Sequence, residues 1–99
     1  MNIFADNDCV RVTGLDRLGA SNCAEFRQLV RLHLGETCRL VEVDCAPIRF
    51  IDSDGFGALI SVHKSLAARA GKVRLREPLP VVRQLLRLLH FDEIFEITP

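Results

Sequence analysis

Three short apolar runs alternate with three longer segments of helical periodicity, and this alternation constrains the fold more than any other feature. The runs are CVRVTG, CRLVEVDC and KVRLRE, and the helical segments that follow them span residues 21–35, 53–70 and 81–91. Short runs bounded by turn-forming residues are typical of strands, and apolar residues every three or four positions are typical of helices. Because a strand–helix–strand unit crosses over with a right hand, its two strands become parallel. The sequence therefore predicts an α/β fold with helices packed on a sheet.

The two ends of the chain add to this parallel arrangement. The segment NIFA precedes CVRVTG, and the triplet Asp6-Asn7-Asp8 between them predicts a turn, since Asp and Asn side chains hydrogen-bond their own backbone. This gives an antiparallel N-terminal hairpin. The tail DEIFEITP predicts a helical turn and a last extended piece. We expect one domain over residues 1–99, with a mixed β-sheet and helices packed on it, in the order β-β-α-β-α-β-α.

Capping residues and glycines predict where the helices begin and end. Ser21 or Asn22 can cap the first helix, and Gly35 ends it. The second helix runs from residue 53 to 70 and ends before Gly71. We expect its apolar stripe to comprise Phe56, Leu59, Ile60, His63, Leu66, Ala67 and Ala70.

The charge balance and the cysteines exclude several classes of function. Lys plus Arg equals Asp plus Glu, 13 each, so the net charge of zero gives no electrostatic case for nucleic acid or an anionic membrane. The chain shows neither a signal peptide nor an apolar run long enough to span a bilayer, and we expect a soluble cytoplasmic protein. The cysteines lack metal-site spacing, so we expect buried free thiols and neither a bound metal nor a cofactor. These cysteines are Cys9, Cys23, Cys38 and Cys45.

The stretch FIDSDGFGALI lies between the second parallel strand and its helix. Asp52 or Ser53 can cap that helix, and Asp54 complements the helix dipole, so the stretch can be explained as a helix start alone. Gly55 and Gly57 fit that explanation less well, because glycine in a helix costs up to ~1 kcal/mol relative to alanine. They suggest that another backbone or molecule approaches closely and that the Ser53 hydroxyl is uncovered.

A phosphate on Ser53 would bring about 1.5 to 2 negative charges to a helix N-terminus. The helix dipole and the free N–H groups favour that charge, whereas Asp52 and Asp54 repel it. The helix can therefore tolerate phosphorylation while the surface charge changes sharply, which is what a binding switch needs.

The stretch IRFIDSDGFGALI resembles the signature of STAS domains, the anti-sigma factor antagonist family. In that family a strand and a loop ending in aspartate are followed by Ser, then Ser or Thr, then Gly at the start of a helix. The segment VRVTGLD is similar to the family's early strand and turn, and AGKVRLREPLPVVRQLLRLLHFDEIFEI to its closing segment. The resemblance covers nearly the whole chain, and the predicted order of elements agrees with the STAS fold.

The resemblance implies a protein-binding switch that is not an enzyme. In the partner-switching branch, the unphosphorylated antagonist binds an anti-sigma serine kinase, is released when the kinase phosphorylates it, and is restored by a phosphatase. By position, Ser53 is the implied phosphorylation site, and Asp16 corresponds to the aspartate of the early turn. The implied partner-binding residues are Asp16, Asp52, Asp54, Gly55, Phe56 and Gly57.

This sequence departs from the family pattern at two positions. Asp54 stands where Ser or Thr is usual and adds a fixed charge beside Ser53. The turn Gly14-Leu15-Asp16 has one residue fewer between its glycine and its aspartate than the common form.

One alternative function stays open, a constitutive STAS adaptor that binds an ABC transporter ATPase or a larger signalling complex. A hydrolase is disfavoured, because DSDGFG is not the Gly-x-Ser-x-Gly elbow. We interpret Lys72, Arg74 and Arg76, which alternate along one strand, as a solvated face. The sequence leaves the oligomeric state open, and a monomer is compatible with it.

Overall fold

A computed structural model describes residues 1–6 and 8–99, and its elements follow the predicted order. The strands are β1 (Asn2–Ala5), β2 (Cys9–Thr13), β3 (Leu40–Asp44), β4 (Lys72–Arg76) and β5 (Glu96–Thr98). The helices are α1 (Cys23–His33), α2 (Ser53–Ala67) and α3 (Pro80–Leu88), and a 3₁₀ turn covers Phe91–Glu93.

The five strands form one mixed sheet in the order β1-β2-β3-β4-β5. β1 pairs antiparallel with β2, and every later neighbouring pair is parallel. The predicted α/β class and mixed sheet are therefore confirmed, and the extended tail is the edge strand β5. In the predicted hairpin turn, the Asp6 carboxylate accepts hydrogen bonds from the backbone N–H groups of Asp8 and Cys9. Asn7, the central residue of that turn, lies outside the described residues.

The helices cover a single face of the sheet. Each crossover from β2 to β5 advances by one strand in the same direction, and right-handed crossovers of that kind leave every helix on one side. The strand residues that face the helices are almost fully buried, and they are Val10, Val12, Val41, Val43, Val73 and Leu75. The opposite face of the sheet is left open.

A row of charged side chains crosses this open face. Arg11, Glu42, Arg74 and Glu96 are register partners on four neighbouring strands, and we call them the charge ladder. The Glu42 carboxylate lies 3.0 Å from Arg11 Nε and 3.2 Å from Arg74 Nη1. Glu96 Oε2 lies 3.2 Å from Arg74 Nε and 2.8 Å from Lys72 Nζ. The sequence predicts that Lys72, Arg74 and Arg76 form a solvated face. In the structure, Lys72 and Arg74 are paired with carboxylates.

Helix ends and faces differ in detail from the sequence prediction. The Asn22 side chain does not cap α1, because its oxygen accepts from the backbone N–H of Gly19 instead. The buried stripe of α2 is rotated toward Ala58 and Val62, whereas Ala67 and Ala70 are exposed. Alanines and larger apolar residues occur on both sides of α2, so the sequence pattern did not show which side of the helix is buried.

The four cysteines are free thiols, and Cys38 and Cys45 are buried as expected, whereas Cys9 and Cys23 are half-buried. Burial raises the pKa of the Cys45 thiol to about 12, so this thiol stays protonated near neutral pH. Within residues 1–6 and 8–99, no cluster of His, Cys, Asp and Glu side chains has the arrangement of a metal site. Among these same residues, no helix combines the length and hydrophobicity that crossing a membrane requires.

Candidate functional site

Asp52, rather than Ser53, caps helix α2. The Asp52 backbone is extended, and its Oδ1 accepts a 2.9 Å hydrogen bond from the backbone N–H of Gly55. The side chain thereby pairs one of the N–H groups that a helix start leaves without a partner. Ser53 is the first residue of the helix and has no capping role.

The same carboxylate binds a second segment of the chain. Asp52 Oδ2 accepts a 3.1 Å hydrogen bond from the backbone N–H of Ala20, 32 residues earlier. The hydrogen bonds from Gly55, and then from Ala20, lower the pKa of Asp52 below its ordinary value. Asp52 therefore stays ionised near neutral pH. Its two hydrogen bonds connect loop 14–22 to the start of α2.

Backbone pairing reinforces this connection. The Arg49 N–H donates to the Asp16 carbonyl at 2.9 Å, and the Leu18 N–H donates to the Phe50 carbonyl at 3.3 Å. Leu18 and Ile51 form an isolated parallel bridge. The two loops predicted from separate motifs thus lie side by side, with Asp16 one strand-width from the segment that leads into Ser53.

Gly55 is required by the close approach of these loops. A Cβ atom at position 55 would lie 2.0 Å from the Leu18 carbonyl oxygen, far inside contact distance. Gly19 is constrained in a similar way, because a Cβ there would lie 2.4 Å from the Asp52 carboxylate. The expected close approach at Gly55 is therefore made by the chain's own backbone.

Phe56 does not belong to an accessible contact surface. Its side chain is 7 % exposed and stacks on Phe91, with ring centroids 4.9 Å apart. Gly55 is buried as well. The sequence predicts that both residues bind a partner, and the structure places both beneath the surface, where they hold α2 against its neighbours. A residue type alone could not show which of two adjacent helix positions faces the core.

Ser53, Asp54 and Gly57 remain on the outside of the helix. In the described part of the chain, no group hydrogen-bonds to the Ser53 hydroxyl. A Cβ atom at Gly57 would meet nothing within 4 Å, so the fold does not demand glycine there. Residues four apart share one helix face. Ser53 and Gly57 therefore form an exposed surface without a large side chain.

Two residues on the paired loops that precede α1 and α2 were not identified from the sequence. Phe50 is 48 % exposed, and the Arg17 guanidinium lies 5.6 Å from the centre of its ring. Such a distance is typical of a cation–π contact. Phe50 directly precedes the IDSDG motif. Arg17 lies far from Phe50 in sequence and reaches its ring through the pairing of Leu18 with Ile51.

Comparisons with known proteins give a consistent result for this fold. A family model described as the STAS domain matches residues 7–99. A protein described as a candidate anti-sigma factor antagonist from Thermotoga maritima superposes with a TM-score of 0.83 at 22% identity, over 97% of this chain and 83% of that chain. The anti-sigma factor antagonist SpoIIAA, unphosphorylated, gives 0.79 at 19% identity over 99% and 87%. The Bacillus cell fate determinant SpoIIAA, phosphorylated, gives 0.70 at 18% identity over 99% and 90%. At these identities the structural likenesses show the fold alone.

Proposed function

The chain belongs to the STAS domain family, and within it we propose that this protein is a phosphorylation-controlled switch of the anti-sigma factor antagonist type. In its unphosphorylated form it binds an anti-sigma serine kinase in the cytoplasm. Phosphorylation of Ser53 by that kinase releases it, and a phosphatase restores binding. The chain itself acts by binding and is not an enzyme.

The observation that carries this proposal is the free hydroxyl of Ser53. Asp52 already caps the helix, so the fold gives Ser53 no structural task, and no described residue covers its hydroxyl. The exposed Gly57 one turn later costs helix stability without an internal reason. Both features are explained if a kinase must bring its catalytic site close to Ser53.

The electrostatics suit a change of surface rather than a change of fold. A phosphate on Ser53 would add about 1.5 to 2 negative charges at the positive end of α2, where they are tolerated. The exposed Asp54 beside it would make the local surface strongly acidic. A partner bound to the uncharged serine would then face uncompensated negative charge, which weakens binding. The solved forms of SpoIIAA support this, because both the unphosphorylated and the phosphorylated protein share this fold.

Phosphosite mapping tests the proposal directly. The purified chain is incubated with ATP and an extract of the organism that encodes it, and the phosphorylated residue is identified by mass spectrometry. We expect one phosphate on Ser53, and none on the Ser53→Ala variant. Ser65→Ala is the matched control, because Ser65 is also exposed on α2. Equal phosphorylation of Ser53→Ala would refute the assignment.

The effect on binding is tested with the kinase that this mapping identifies. We expect Ser53→Asp to weaken the complex, because a carboxylate imitates part of the phosphate charge, whereas Ser65→Asp should bind like the wild type. Unchanged affinity of Ser53→Asp would contradict the switch.

The second candidate is a constitutive adaptor, and the fixed charge of Asp54 favours it. With an aspartate already beside Ser53, the surface is partly acidic without any phosphate. This candidate expects pull-down of a transporter ATPase or a larger signalling complex, with no kinase, and equal recovery by the wild type and Ser53→Ala.

A further inference from the structure

Two arginines on α1 have no electrostatic partner in the described part of the chain. Arg27 and Arg31 are one helical turn apart and both are exposed. Neither guanidinium group forms an ion pair or a hydrogen bond with residues 1–6 or 8–99. Like charges at this spacing repel each other within a helix. Lys72 and Arg74, by contrast, are paired with carboxylates on the sheet.

Both arginines line a shallow cavity between α1 and α2. Val30 and Val62, which are buried, and Leu34 form its apolar lining, and Ser61 from α2 also lines it. The Ser61 hydroxyl has no partner among the described residues, so it is free to donate a hydrogen bond. The cavity therefore combines two cations, a hydroxyl donor and an apolar surface.

The size of the cavity restricts what can enter it. Its volume is about 30 Å³, somewhat above the space that one water needs. Pockets for whole small-molecule ligands are usually about 300 to 1,000 Å³. A single carboxylate fits this space, and guanidinium groups bind carboxylates with paired, charge-assisted hydrogen bonds.

We propose that the α1–α2 cavity is a docking site for an acidic side chain, Asp or Glu, of a protein partner. The apolar lining suits the methylene stem of that side chain, and the arginines suit its carboxylate. A nucleic acid is disfavoured, since no aromatic side chain lines the cavity to stack a base. The site goes beyond the proposed switch, since it involves neither Ser53 nor its phosphate. Ser61 follows Ser53 by eight residues, about 12 Å along the helix at 1.5 Å per residue, so one partner can contact both.

A peptide titration followed by NMR tests this site without knowledge of the natural partner. The full ¹⁵N-labelled chain is titrated with a peptide of Glu-Ala-Ala-Glu repeats and, separately, with its Gln-Ala-Ala-Gln counterpart. We expect the acidic peptide to shift the amide signals of Arg27, Arg31 and Ser61, and the Gln peptide to leave them unchanged. The double variant Arg27→Gln/Arg31→Gln should raise the Kd about tenfold or more.

Matched controls separate this site from general charge attraction and from the switch. Arg87→Gln changes an exposed helical arginine on α3 and should bind the acidic peptide like the wild type. Ser53→Ala should also bind it normally, so failure of the switch and failure of this site are distinguishable. Unshifted signals, equal Kd for the double variant, or shifts spread over all exposed arginines would overturn the proposal. Equally tight binding of free acetate to the same amides would also overturn it, in favour of a simple anion site.

Discussion

Gly55 and Gly57 lie two residues apart in α2 and have opposite surroundings. A methyl group at position 55 would collide with the Leu18 carbonyl, which is backbone and cannot rotate away. A methyl group at position 57 would point into open space. We therefore expect Gly55→Ala to lower the free energy of unfolding by roughly 1 to 3 kcal/mol, as overpacking does. Gly57→Ala should raise it by up to about 1 kcal/mol, because alanine is the better helix former.

Urea denaturation of the two variants and the wild type measures both changes. The pair is its own control, since the substitution and the helix are the same and only the neighbouring atoms differ. If both variants were equally stable, loop 14–22 would not pack against the start of α2 as described. If the proposed kinase partner is found, a gain in stability for Gly57→Ala together with weaker binding of that kinase would locate the partner at this face.

At the scale of elements, the charge ladder connects four strands across the open face of the sheet. Glu42 is its central member, with a side chain only 9% exposed and contacts to Arg11 on one side and Arg74 on the other. We expect Glu42→Gln to lower the free energy of unfolding by about 1 to 2 kcal/mol, because hydrogen bonds to charged groups contribute more than neutral ones. Added salt should reduce this difference, since Arg11 is half exposed and its ion pair is screened.

Glu36→Gln is the control for this prediction. Glu36 is exposed, so its substitution should change stability by less than about 0.5 kcal/mol. Denaturation at low and high salt gives the comparison. A Glu42→Gln variant as stable as the wild type would mean that desolvation of the carboxylate cancels its ion pairs.

The elements themselves could be predicted from the sequence because their signals are local. Strand and helix order follows from periodicity, and parallel pairing follows from the chirality of the crossovers. The charge ladder could not be predicted, since the partners of Glu42 are about 30 residues away in either direction. The same limit applies at the site: the motif located Ser53, whereas the contact of Asp52 with Ala20 and the burial of Phe56 against Phe91 depend on tertiary packing.

At the scale of the whole molecule, two carboxylates make the stability depend on pH. Hydrogen bonds from Gly55 and then Ala20 lower the pKa of Asp52, and contacts with Lys72 and then Arg74 lower the pKa of Glu96. A lowered folded-state pKa means that the unfolded chain binds the proton more readily. Both contributions are therefore present above the ordinary values of 3.8 and 4.5, and are lost as the pH falls through the folded-state values.

Substituting both carboxylates tests this dependence. Asp52 acts where α2 meets loop 14–22, and Glu96 acts on the edge strand β5, with no partner in common. We expect Asp52→Asn and Glu96→Gln each to lower stability at neutral pH, with effects that add in the double variant because the sites are independent. Toward pH 3 the gap between each variant and the wild type should narrow, since protonation removes the same charge from the wild type. Urea denaturation across this pH range measures the gap, and a gap that stays constant would show that neither charge stabilises the fold.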